Sequence, residues 1–465
     1  MWSPIYLIFC LVLQILAIWP QPVSFSKGNS TLWIASSLNV TYNGESYTNV
    51  WGIPFHDISL SIQTEQVSHE QSSLSSTAIS FDSYSLVKAA VSRTLGTLFK
   101  QNFVPWKLFP RNSDFEPEEC DCEKPLIKSL AIIQIGNDNS STFKPLAGQV
   151  DESYNLTLTT SGQATINAAS YLGVLHALES FIQLFYQHSK GGVYTSIAPV
   201  TITDSPKFQH RGLNMDVSRN WYPVKDVLRT IDAISWNKFN RLHLHMTDAQ
   251  SWPMDIPAIP ELSQKGAYQK GLSYSRKDIQ EIQTYAIQRG VEVIIEFDMP
   301  SHTTSIAFSH PELIAVNDMQ PYDGYCNEPP CGTLKLNSSA VYTFLDELFA
   351  DVLPRVSPYS SYFHTGGDEV NIQDYLFDET VKSNDTKILQ PLIQKLVNHT
   401  HSLIRAAGLS PIVWEEMATA GYPSAWNLTL GDDVVVQTWQ GGNAIASVTA
   451  SGHKVIAGDY NFWVS

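Results

Sequence analysis

Basic residues are scarce in this chain: 29 Lys and Arg stand against 45 Asp and Glu, a formal net charge of -16. That surplus repels phosphate backbones and anionic lipid headgroups, which argues against nucleic acid or an acidic membrane as partner. Charged residues of both signs reach only 16%. Cysteine is scarce too, with five in 465 residues and no C-x-x-C spacing, so a zinc site built on cysteine pairs is disfavoured. No G-x-S-x-G elbow occurs, which argues against a serine nucleophile. After the first 17 residues there is no second hydrophobic span, and the chain past that point is expected to be soluble.

What is present begins with Met1 to Ala17, an apolar run rich in Leu and Ile that is too short to cross a bilayer and ends on a small residue. It is read as a secretory signal peptide, although it carries no Lys or Arg. Eight N-x-S/T sequons, at Asn29, Asn39, Asn139, Asn155, Asn337, Asn384, Asn398 and Asn427, fit a glycoprotein of the secretory pathway. The expected destination is extracellular or cell-wall associated, or alternatively lysosomal or vacuolar. Loss of Cys10 with the signal leaves an even set in an oxidising compartment, which favours disulfides. Cys326 and Cys331, in CNEPPC, can close a small loop. Cys120 and Cys122 form either a strained local bridge or two bonds to elsewhere.

The length accommodates two domains. After the signal (1–17), residues 18–206 read as an α+β domain with a sheet covered by helices. There Tyr154, Leu156 and Leu158 alternate, a Ser161-Gly162 turn follows, and Ala164, Ile166 and Ala168 continue the alternation, the pattern of a hairpin. Leu172, Leu175, Leu178, Ile182 and Phe185 then recur at helical spacing. The run Gln71 to Thr77 reads as an exposed loop. From 207 to 465 strand and helix alternate, with strands expected at 211–217, 239–246, 290–297, 361–365, 412–415, 433–438 and 454–457. Ser275 and Asp278 form a capping box for one of the intervening helices, and Gly290 ends it. Such alternation implies a parallel sheet, here a (β/α)8-type TIM barrel of which seven strands are readable before the sequence stops.

The stretch around Gly366-Gly367-Asp368-Glu369 organises the second domain. Tyr362, Phe363 and Thr365 suit a buried strand, and two glycines free the backbone so that neighbouring carboxylates need not point to opposite faces. Paired carboxylates in a cleft are equipment for general acid catalysis. The same residues also suit a solvated helix N-terminus. Repetition favours chemistry: Asp216 and Arg219, then His243, His245 and Asp248, then Asp298 and His302, then Glu415 and Trp439 also follow strands, where a TIM barrel keeps its active site. His243 and His245 share one side of a strand, as in some metallohydrolases. The fifth and sixth strands bring VWEE and QTWQ and no further His, so no metal and no cofactor is expected.

These motifs carry a resemblance. HRGLNMDVSRN at Arg211, RLHLHMTDAQSWP, EFDMPSHT at His302, HTGGDEVN, VWEE at Trp414 and QTWQGG at Trp439 resemble, in order and spacing, those of family 20 β-N-acetylhexosaminidases. IWPQP and the segment from ESYNLTL to ASYLGVLHALESFIQLF extend the likeness into the first domain, and CNEPPCG resembles fungal and chitin-processing members. The resemblance implies an exo-acting glycosidase that removes terminal N-acetylglucosamine or N-acetylgalactosamine from chitooligosaccharides or glycans. Glu369 is then the general acid and base, and the substrate's own acetamido oxygen is the nucleophile. Asp368 orients that acetamido group, Arg211 binds ring hydroxyls, Asp248 and His302 support the carboxylates, and Trp414 and Trp439 line the sugar pocket. A homodimer through the barrel is also implied.

Two departures stand out. A gapless reading puts Val464 where the family has a Tyr at the seventh strand's end, with Tyr460 four residues earlier. The eighth strand, with its Trp and carboxylate, is absent, so the expectation is a truncated product of a longer reading frame. The alternative to an active hydrolase is a sugar-binding or inert homologue.

Overall fold

In a computed structural model the described residues are 18–47, 81–118, 124–139, 142–326, 328–420 and 425–462. The signal peptide, the 71–77 loop, Cys120, Cys122 and Val464 lie outside them. By internal packing the chain divides into two compact units: 1–211 with 233–239 and 288–290, and the remainder.

The first unit is a seven-stranded sheet of β1 (Ser24–Tyr42), β2 (Glu45–Ser46), β3 (Leu126–Gln134), β4 (Tyr154–Leu158), β5 (Gln163–Ala168), β6 (Tyr186–Gln187) and β7 (Val193–Asp204), ordered β2-β1-β3-β5-β4-β7-β6. The hairpin expected from alternation is β4 and β5, paired antiparallel from Tyr154 opposite Ala168 to Leu158 opposite Ala164. Its Tyr154, Leu156, Leu158, Ala164, Ile166 and Ala168 are all buried. The helices of this unit among the described residues include α1 (Ser83–Gly96) and α2 (Tyr171–Ile182). Helix α2 starts where Ser170 accepts a hydrogen bond from the Gly173 N–H, and it buries Leu172, Leu175, Leu178 and Phe181. The sequence periodicity, which continues to Phe185, overran its C-terminal end. The 19-residue β1 had no sequence signal, because its burial is irregular along the first half.

The second unit holds a curled parallel sheet of seven strands, a half-barrel, in the order β16-β15-β14-β13-β10-β9-β8. Its strands are β8 (Gly212–Asp216), β9 (Arg241–Thr247), β10 (Glu292–Phe297), β13 (Tyr362–His364), β14 (Ser410–Trp414), β15 (Val435–Thr438) and β16 (Lys454–Ala457). All seven expected strands form, within a few residues of their expected bounds. Strand β9 starts later than expected because Lys238 takes a left-handed turn, φ 58°, after the preceding helix. A small antiparallel pair, β11 (Ile314–Val316) and β12 (Thr333–Leu334), lies in the long connection after β10.

Between the strands run helices including α3 (Arg276–Ile287), α4 (Ser339–Val356) and α5 (Thr386–Ala406). The capping box of α3 is formed: Asp278 accepts from the Ser275 N–H at 2.8 Å, and Ser275 Oγ accepts from the Asp278 N–H at 3.2 Å. Helix α4 buries Val341, Phe344, Leu345, Leu348, Phe349, Val352 and Val356, a stripe at three- and four-residue spacing. Phe297, Phe349 and Phe363 meet edge to face beneath it. Strands β9 and β10 are buried along their whole length, as interior strands of a parallel sheet must be. The edge strands β8 and β16 are largely exposed.

Candidate active site

Strand register assembles the site. Parallel pairing sets Asp216 beside His245, His245 beside Glu296, and Glu296 beside His364, one layer across four strands. Paired residues in a parallel sheet point to the same side, so these polar groups converge although neighbours among them lie 29, 51 and 68 residues apart in sequence.

At the end of β13 the chain turns through Gly366 (φ 68°) and Gly367 (φ 107°). A Cβ on Gly366 would meet Asp298 Oδ1 at 1.8 Å, so only glycine fits. Glu369 itself is left-handed at φ 54°, as is His302 at φ 58°, a backbone strain that the surrounding packing sustains. The turn brings both carboxylates to one imidazole: His302 Nε2 is 3.8 Å from Asp368 Oδ2 and 3.5 Å from Glu369 Oε2. Their side chains remain 19% and 23% exposed, so a ligand can reach them. Ser301 Oγ donates to the Asp368 carbonyl, and Asp368 Oδ1 has no hydrogen-bond partner.

Electrostatics follow from burial. Burial raises the Asp368 carboxyl, helped by Glu296 and Glu369 and opposed by His302. Asp298 is pushed well above the usual carboxylate range by burial and by Asp368, while its Oδ1 accepts from the Gly367 N–H at 2.9 Å. Burial works against a charge on His302, yet Asp248, Asp298 and Asp368 together hold it well above its ordinary value. Asp248 stays ionised despite burial, since His302 and His245 hold it far below the usual range.

Behind this pair lies a layer of which sequence reading singled out His243, His245 and Trp414 but not Glu296 or His364. Glu296, fully buried, accepts from His243 Nε2 at 2.7 Å, His245 Nδ1 at 2.6 Å and Trp414 Nε1 at 2.7 Å. Gly366 donates to His364 Nδ1 at 3.0 Å, so that nitrogen carries no proton. Burial holds His364 down to about 3, although Glu296 pulls the other way. Atoms of His243, Glu296 and His364, of His245, Glu296 and Asp298, and of Asp248, Asp298 and His302 come within 4.8 Å of one another, as metal ligands do. Imidazole N–H groups facing carboxylates satisfy most of these atoms, and the clusters read as an ion-pair network.

Glu416 was also missed. It accepts from Trp439 Nε1 at 2.9 Å and Gln440 Nε2 at 2.8 Å, while Glu415 Oε1 accepts from the Trp439 and Gln440 N–H groups. The VWEE motif drew attention to Trp414, which is in fact 4% exposed and bound to Glu296. Trp439 is the more accessible of the two. Arg211 belongs to the first unit, where Glu152 and the carbonyls of Phe208 and Lys238 engage its guanidinium. Cys326 and Cys331 form a disulfide. Its loop reaches the site through Glu328, which pairs with Arg219 at 2.8 Å, and Arg219 in turn pairs with Asp248 at 2.9 Å.

Residues 208–464 match the family model "Glycosyl hydrolase family 20, catalytic domain", and residues 18–184 match "beta-acetyl hexosaminidase like". A "Beta-hexosaminidase" of Arthroderma benhamiae is 39% identical over 96% of this chain and 75% of its own length. "Beta-hexosaminidase subunit A1" of Dictyostelium discoideum is 32% identical, over 66% of this chain and 55% of its own. Among solved structures, Flavobacterium johnsoniae chitobiase superposes with a TM-score of 0.69 at 23% identity, covering 96% of this chain and 59% of that one. An exo β-N-acetylglucosaminidase of Vibrio harveyi, in complex with N-acetylglucosamine, gives 0.65 at 19%, covering 95% and 60%. The chain thus spans little more than half the length of several proteins it matches.

Proposed function

This chain belongs to glycosyl hydrolase family 20, and from that premise we propose that it removes terminal, non-reducing N-acetylglucosamine or N-acetylgalactosamine from chitooligosaccharides or glycans with retention of configuration. The observation that carries the reading is the meeting of Asp368 and Glu369 at His302 Nε2. Glu369 gives its proton to the glycosidic oxygen as the C1–O bond breaks. The acetamido oxygen bonds to C1 from the opposite face, forming an oxazolinium ion. Asp368 accepts the acetamido N–H and offsets the positive charge of that ion; its partly exposed side chain supports this role. Water then attacks C1, Glu369 takes its proton, and the acetamido group is released.

Trp439, fixed by Glu416, is the better supported wall for the sugar, and Trp414 lies behind it as a donor to Glu296. Arg211 as a donor to ring hydroxyls has less support, since Glu152 already engages it. The division at 206/207, the signal peptide, a homodimer and passage through the secretory pathway belong to the same proposal. All eight sequon asparagines are exposed, which supports glycosylation, and no helix among the described residues is long and apolar enough to cross a membrane.

Hydrolysis of a chromogenic β-N-acetylglucosaminide by the parent and by Glu369→Gln tests the reading. A loss of about 10²–10⁴ in kcat is expected from removing the acid. A folded parent that binds N-acetylglucosamine without turnover would favour the second reading, a sugar-binding or inert homologue.

A further inference from the structure

Glu296 and His245 take no part in the chemistry above, yet both are buried polar groups in the middle of the sheet. Burying a carboxylate among imidazoles rarely improves stability over apolar packing of the same volume. Their geometry has another use. Glu296 Oε2 meets His245 Nδ1 at 2.6 Å, His245 Nε2 meets Asp248 Oδ2 at 2.6 Å, Asp248 Oδ1 meets His302 Nδ1 at 3.2 Å, and His302 Nε2 faces Glu369 Oε2 at 3.5 Å. We propose that Glu296 and His245 are positioning residues, which hold Asp248 and His302 in the one orientation that presents His302 Nε2 to the acid–base carboxyl of Glu369. The inference rests on the reading of Glu369 as that acid.

Hydrogen-bond counting fixes the direction of each link. His245 has a carboxylate oxygen at both ring nitrogens, so both donate and the ring is a cation. Burial opposes that charge, and Glu296 and Asp248 outweigh it. Asp248 is then saturated: it accepts from His245, from the Ala249 N–H at 2.5 Å and from His302, and pairs with Arg219. A carboxylate so held can only accept at His302 Nδ1. Asp248 therefore fixes one proton of His302 at Nδ1 and with it the aim of the ring, and Nε2, which carries the second proton of the imidazolium that the carboxylates favour, faces Glu369, Asp368 and Asp298. The last link is longer than a hydrogen bond, as is common before substrate closes a site.

Glu296 in turn is fixed by His243 and Trp414. Replacing its outer oxygen by an amide would set an N–H₂ group against His245 Nδ1–H or turn that donor away. His245 would lose its anchor and Asp248 would gain freedom to rotate. The damage should appear only where proton donation to the leaving group matters.

Leaving-group dependence measures that. With Glu296→Gln and, separately, His245→Gln, kcat is compared on a β-linked N-acetylglucosamine dimer, whose alkoxide leaving group needs a proton, and on 2,4-dinitrophenyl β-N-acetylglucosaminide, whose phenolate does not. Expected is a fall of roughly tenfold or more on the dimer, a part of the 10²–10⁴ that a placed acid contributes, against a change under about threefold on the dinitrophenyl substrate, with KM steady. Equal losses on both substrates, or none on either, would overturn the positioning role, and a variant that does not fold is replaced by the other of the pair. If both variants fail to fold, Glu296 and His245 are structural and the proposal is wrong. A parent inactive on both substrates would instead remove the hydrolase reading on which it rests.

Discussion

Glu416 is a carboxyl group that burial pushes up to about 8, with Asp368 adding to the shift, so at pH 7 it is held mainly in its protonated form. Its carboxyl oxygen fixes the Trp439 indole and the Gln440 amide. Glu416→Ala is expected to release both and to raise KM for an N-acetylglucosaminide about tenfold, the equivalent of one lost hydrogen bond of about 1.4 kcal/mol. Glu416→Gln keeps a neutral acceptor and should stay close to the parent. An unchanged KM in the alanine variant would remove Trp439 from the sugar pocket. At this scale the sequence pointed to the proposed pair, with Asp248 and His302 beside it, but not to Glu296 and Glu416. Asp368 and Glu369 follow two glycines and are conspicuous, whereas Glu296 and Glu416 sit among apolar residues, and only register and a 3₁₀ turn at Glu415–Met417 turn them inward.

Among the elements, the short helix Ile372–Leu376 after the reactive turn carries a buried carboxyl with a measurable cost. Asp374 accepts from Thr333 Oγ1 of β12 at 2.5 Å, its Oδ1 has no partner, and burial pushes it up to about 7. Between about pH 4 and 7 the folded protein keeps a proton that the unfolded chain has released. Stability from this group is therefore complete below pH 4, falls as pH rises and levels off above 7, by at most about 4 kcal/mol. Asp374→Asn should flatten that slope in urea unfolding followed from pH 4 to 8; an unchanged slope would mean that the group ionises freely. Elements with local signals were legible: the β4–β5 hairpin by alternation, α3 by its capping box. Strand β1 was not, because its pairing switches from β7 to β3 along its length and its register shifts as it does so.

At the scale of the whole second unit, the sheet has two edges among the described residues. Leu213 on β8 is 37% exposed, and β16 shows the same wetness. Unpaired edges with apolar side chains template association. Leu213→Lys places a charge on one edge, and static light scattering should show severalfold less association at equal concentration while the net charge moves only from -16 to -15. Equal scattering would clear the edge of that role. The seven strands were legible because a parallel sheet writes its core as continuous apolar runs, and the strand-end polar groups stood out against them. How those groups connect was not legible, since Glu296 reaches His243, His245, His364 and Trp414 across 50 to 120 residues of chain.

Asp368 and Glu369 share one rigid peptide unit, and the left-handed turn at Glu369 fixes their relative aim. Neither can be re-aimed without moving the other. Any adaptation to a sugar with a different substituent at carbon 2 must then be made by the walls around the pair. Under the proposed function, the two carboxyls constrain which substrates the scaffold can evolve toward as firmly as they enable hydrolysis of one.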